Sequence, residues 1–88
     1  MPPAPKNSII KTRLSELKSE SAEVNATLRR IDDAIAALQK QAEADPEFAE
    51  DAEFIDRMTV EGGRKQIMER RKADLKAEID RLESAKPV

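Results

Sequence analysis

The side chains able to act as acids, ligands or anion cradles fall in two short runs. The first is acidic and holds Glu47, Glu50, Asp51, Glu53 and Asp56. A calcium loop needs carboxylates at alternate positions, a glycine at the sixth and a glutamate at the twelfth. Counted from Asp45, the sixth residue is Glu50, so that pattern fails. A di-iron carboxylate bundle needs Glu-x-x-His pairs, and the chain has no histidine. The run therefore reads as a solvated acidic tip. Its functional alternative is an electrostatic docking knob, centred on Glu47, Glu50, Asp51 and Glu53, for a basic partner surface.

The second run is Glu61-Gly62-Gly63-Arg64-Lys65. Glycines before a helix start can cradle an anion on backbone N–H groups. The strand and the Gly-x-x-x-x-Gly-Lys-Ser/Thr spacing of a phosphate loop are both missing. A helix break, a kink or a close helix contact fits the pair better. Arg64, Lys65, Arg70, Arg71, Lys72 and Lys76 make the following stretch basic, but Glu69, Asp74, Glu78 and Asp80 interleave with it. Nucleic-acid binding asks for an uninterrupted basic stripe and aromatic platforms. The chain offers neither, and its pI is near 5.2.

Catalysis finds no machinery. Ser8, Ser15, Ser19, Ser21 and Ser84 have no histidine to activate them. The expectation is a non-enzymatic protein with no cofactor and no metal. No cysteine is present, so disulfides and thiol chemistry drop out. This fits a cytoplasmic protein or a component of a virion or similar assembly. The start, Met1-Pro2-Pro3-Ala4-Pro5-Lys6, lacks the apolar middle of a secretory signal. No apolar run approaches the roughly 18 residues of a membrane helix.

The bulk composition points to long helices. Charged residues make up 39% of 88 residues, and Phe48 and Phe54 are the only aromatics. High charge, few aromatics and sustained apolar periodicity describe a coiled-coil-like chain rather than a globular core. Residues 43–61 hold eight acidic and one basic side chain, whereas 62–88 hold eight basic and five acidic. The result is a rod with an acidic section between mildly basic flanks.

The elements that carry these runs follow from spacing. Ile10, Leu14, Leu17, Val24, Leu28, Ile31, Ile35, Leu38 and Ala42 alternate steps of four and three, with Ser21 in the one polar slot. That places one narrow seam along a helix over 8–43, and such a seam needs a partner helix. Residues 1–7 form a Pro-rich arm, with Asn7 or Ser8 as a helix cap. Asp45-Pro46 ends the first helix and starts a new turn, since a residue before proline avoids helical conformation. The tip spans 44–51. A second helix follows over 52–84, and a tail over 86–88.

The second helix carries Phe54, Met58, Met68, Leu75, Ile79 and Leu82 on one seam, interrupted by Glu61, Lys65 and Lys72. Two adjacent glycines inside it cost about 2 kcal/mol relative to alanine. A short connection favours an antiparallel hairpin, all-α over 8–85. In that register Leu17 lies near Leu75, Val24 near Met68, and Leu28 near the misplaced Lys65. Ile9, Ile55, Val60 and Ile67 fall off the seam, where further helices would cover them. A lone hairpin of this composition is marginal, so a homo-oligomer or a subunit of a hetero-complex is expected. Its partner-binding residues are Ile10, Leu14, Leu17, Val24, Leu28, Ile31, Ile35 and Leu38 on the first helix and Phe54, Ile55, Met58, Met68, Leu75, Ile79 and Leu82 on the second. An alternative pairs the first helix with its copy in a second chain. In layout the chain is similar to small hairpin co-chaperones of type III secretion and to small helical accessory subunits of phage particles. That likeness carries no residue across.

Overall fold

A computed structural model describes the backbone of residues 6–85 and the side chains from Ser8 onward. Three helices occur in order: α1 over Lys6–Ala44, α2 over Pro46–Ala49 and α3 over Ala52–Ser84. The described residues contain no strand. The architecture is an all-α antiparallel hairpin whose contacts run mostly between α1 and α3, with α2 closing the tip. At 1.5 Å per residue, the 39 residues of α1 span about 58 Å. The arm expected over 1–7 and the tail over 86–88 lie outside the described residues, except that Lys6 and Asn7 have helical backbone. Helix α1 thus begins before Ser8. Asn7 and Ser8 sit inside its first turn rather than capping it, and the Ser8 carbonyl accepts from Thr12 Oγ1 at 2.8 Å.

The reversal is built from two aspartate caps. Asp45 leaves the helix with φ −135° and ψ 97°, and its carboxylate accepts from the Glu47 N–H at 3.1 Å. Pro46 then occupies a first-turn position, where its missing N–H is no loss. One turn later Asp51 repeats the device, accepting from the Glu53 N–H at 2.9 Å. Glu47 and Glu53 lie in first turns, where a negative charge meets the positive end of the helix dipole. The Phe48 and Phe54 rings meet across this corner at 5.3 Å between centroids, tilted by 59°.

Helix α3 runs through Gly62 and Gly63 without a break. Neither glycine has positive φ, and a Cβ built on either meets no atom within 4 Å. A cost of about 1 kcal/mol per glycine is too small to interrupt a helix held from both sides. No close approach within the chain requires the pair. Of the three expectations, break, kink or close contact, the hairpin itself supplies neither the break nor the contact.

The core is thin and unequal. Leu14, Leu17, Val24, Ile31 and Leu38 are buried on α1, but Leu75 alone is buried on α3. Leu17, Val24 and Leu75 form the central cluster, with Leu28, Met68, Ile79 and Leu82 packed against it. The imbalance follows from the sequence. The α1 seam has one polar slot, and the α3 seam has three.

Candidate protein-interaction faces

The seam residues expected to bind partners meet each other inside the hairpin. Leu14, Leu17, Val24, Ile31, Leu38 and Leu75 are buried, while Ile10, Leu28, Ile35, Phe54, Met58, Met68, Ile79 and Leu82 are half-buried. Only Ile55 of that set stands exposed. Among the described residues, the large apolar side chains left to solvent are Ile9 at 61%, Ile55 at 53%, Val60 at 51% and Ile67 at 64%. They are the same four side chains that fall off the seam in the sequence.

Lys65 does face Leu28, and the structure shows how the mismatch is relieved. The lysine stem stays against the seam while its ammonium reaches Asp32 Oδ1 at 2.9 Å. Its hydrogen bond to Asp32, with the charge of that carboxylate, holds the Lys65 ammonium above its ordinary value. Asn25, Leu28, Arg29, Asp32, Lys65 and Lys72 line a shallow polar depression on this side.

The opposite side carries an open groove with more apolar walls. Thr27, Arg30, Ile31 and Ala34 line it from α1, facing Glu61, Arg64 and Met68 of α3. It continues toward the tip between Ala34, Ala37 and Gln41 on one wall and Arg57 on the other. Toward the termini the same side is laced by ion pairs: Glu20 with Arg71 at 3.3 Å and Arg13 with Glu78 at 3.1 Å. Glu78 holds the Arg13 guanidinium above its usual range. Each pair is partly exposed and screened by solvent, and contributes little alone. Together with Lys18–Glu83 at 3.4 Å they fix the register of α3 along α1.

These cross-helix partners are not visible as a motif in the sequence. A second heptad phase was available as a signal. Arg57, Val60, Arg64, Ile67 and Arg71 also alternate steps of three and four, one flank away from the seam.

The basic stretch does not form a stripe. At 3.6 residues per turn, Arg70, Arg71 and Lys72 point in three directions. Arg64 meets Glu61 at 3.4 Å, Lys65 meets Asp32 and Arg71 meets Glu20. At the tip, Glu47, Glu50, Asp51 and Glu53 are all exposed. Asp51 is committed to its cap and Glu53 to Arg57 at 2.6 Å. Among the described residues, no three carboxylates gather closely enough to hold a metal ion. No helix there is long and apolar enough to cross a membrane. Comparison with known proteins finds no matching family model, no matching curated protein and no matching solved structure.

Proposed function

We propose that this chain is a non-catalytic assembly subunit, a helical hairpin that offers the flanks of its seam to partner helices in a larger complex such as a phage particle or secretion machine. The supporting observation is the exposure of Ile9, Ile55, Val60 and Ile67 beside so small a core. Small scaffolds make up a thin core with disulfides, metals or association. Cysteine is absent, which removes the first of these. Association is the remaining route that these residues can serve.

Light scattering with circular dichroism on the whole chain, paired with capture from a native extract, tests the reading. Self-association, or a helical partner that shields Val60 and Ile67, supports it. A stable helical monomer that captures nothing sinks it.

A second reading rests on the tip. The paired rings of Phe48 and Phe54 brace an exposed acidic corner, which suits a small regulator that masks a basic partner surface. Under that reading, exchange of Glu47 and Glu50 for glutamine releases the partner while the flanks remain dispensable. A nucleic-acid role draws no support from cations dispersed around α3.

A further inference from the structure

The flank that carries the groove has a charge polarity along its length, and that polarity matches its own reverse. We infer that the occupant of this face is a second copy of the chain, packed face to face and antiparallel, with Ile67 at the two-fold axis. This rests on the assembly-subunit reading and names the partner.

One face is defined by contacts from both helices. On α3 it holds Arg57, Val60, Arg64, Ile67 and Arg71, and on α1 it runs from Ile9 through Glu20 and Arg30 to Ala37. The Glu20–Arg71 and Arg13–Glu78 bridges and the shared groove walls place the two stripes side by side. Three of the four large apolar residues exposed among the described residues, Ile9, Val60 and Ile67, belong to it. Small side chains at Ala34 and Ala37 floor the groove and leave room for an incoming side chain.

The two halves of the face differ in sign. Near the tip the groove is walled by Arg30, Arg57 and Arg64 against Glu61, with Glu53 at the outer rim. Near the termini Glu16, Glu20, Glu23, Asp74 and Glu78 outnumber Arg13, Arg71 and Arg81. A two-fold axis along the hairpin would stack each half on its like and set the three arginines against three more. An axis across the hairpin sets each half on its opposite, and complementary potentials select orientation in this way.

The register follows from the sequence numbers. Arg57 and Glu78 lie on either side of Ile67 at nearly equal distances along α3, so each faces the other in the second copy. Arg30 and Glu20 flank the level of α1 that packs beside Ile67, and they pair likewise. Ile9 then falls over Ala37 and Gln41 of the second copy. One like-charge contact remains, Arg64 opposite Arg71, and each of these arginines already touches a carboxylate of its own chain, Glu61 and Glu20.

The chain lacks cysteine, so Ile67→Cys and Ile55→Cys each introduce one thiol. Both positions are more than half exposed, and neither exchange opens the core. Mild oxidation of the whole chain should link Ile67→Cys into a dimer and leave Ile55→Cys unlinked. Arg57→Glu should raise the dimer Kd about tenfold, with the double variant Arg57→Glu/Glu78→Arg returning to within about threefold of the parent. Circular dichroism checks that helix content is unchanged. Linkage through Ile55→Cys in place of Ile67→Cys overturns the inference, and so does failure of the double variant to recover. A folded monomer that still captures a helical partner from native extract overturns the second copy alone. A folded monomer that captures nothing overturns both the inference and the assembly reading.

Discussion

Lys65 and Asp32 meet at 2.9 Å across the shoulder of Leu28, where the seam of α3 places an ammonium instead of a hydrocarbon. The pair is a repair. It draws the charge outward and leaves the lysine stem in the seam.

Lys65→Met removes the charge and keeps the stem. The loss of an ion pair this open to solvent is small and is offset by apolar contact with Leu28. Thermal stability near neutral pH should stay within about 1 kcal/mol of the parent. The pH response separates the two proteins. Asp32 raises the folded-state value of Lys65 above its ordinary 10.5. A raised cation contributes stability that is fully present below its unfolded value and disappears as pH rises through the folded value. Melting followed at pH 8 and pH 11 should show a larger alkaline loss for the parent than for Lys65→Met. Equal losses would mean that the pair does not hold in solution.

Leu17 tests the core. It is fully enclosed, at 0% exposure, and sits in the cluster with Val24 and Leu75. Leu17→Ala should cost about 3–5 kcal/mol, as buried leucine truncations do. In a core this thin that is enough to unfold the hairpin at ambient temperature. Ile67→Ser, at a position 64% exposed, should leave the helix content of the isolated hairpin nearly unchanged. Circular dichroism at low protein concentration, where association is suppressed, makes the comparison. Similar losses for both would place Ile67 in the fold rather than on its surface.

The contrast between these residues marks what the sequence made legible. The seam of α1 is readable because its steps of four and three persist from Ile10 to Ala42 and match one face of a helix. The turn is readable because Asp45-Pro46 permits little else. The pairing of Leu17 with Leu75 followed from equal lengths and a short connection. Lys65 opposite Leu28 was legible as a fault, but its relief by Asp32 was not, since a salt bridge between helices depends on rotation as well as level. The same holds for Glu20 with Arg71 and Arg13 with Glu78. At Gly62 and Gly63 the sequence leaves a break, a kink or a close contact open, and α3 shows no break there. Local propensity argues for a break, yet packing of Met58 and Met68 on either side carries the helix through.

Each aspartate at the corner can be weighed separately. Asp45→Ala and Asp51→Ala each remove a side-chain acceptor from a helix start and should each cost about 1 kcal/mol. Asn at either position restores the acceptor without the charge and should recover most of the loss. Chemical denaturation of the four variants measures this. If Asp51→Ala is silent, α2 and α3 are coupled by the Phe48–Phe54 contact rather than by the cap.

The glycine pair gives the sharpest test of the free faces. Since a Cβ on Gly62 or Gly63 meets nothing within 4 Å, alanine at each should stabilise the hairpin by about 1 kcal/mol. The gain comes from backbone entropy lost by the unfolded chain, not from a new contact. Gly62 lies on the same flank of α3 as Ile55, away from the groove lined by Arg57 and Arg64, whereas Gly63 points away from the seam. If the second copy docks on the groove face, Gly62→Ala raises the melting temperature and leaves the dimer Kd unchanged. If a partner helix instead closes on the Ile55 flank, the added methyl obstructs it, and Gly62→Ala stabilises the fold while weakening association. Gly63→Ala serves as the reference in both cases. Measuring melting temperature and association together therefore identifies which flank of α3 is covered.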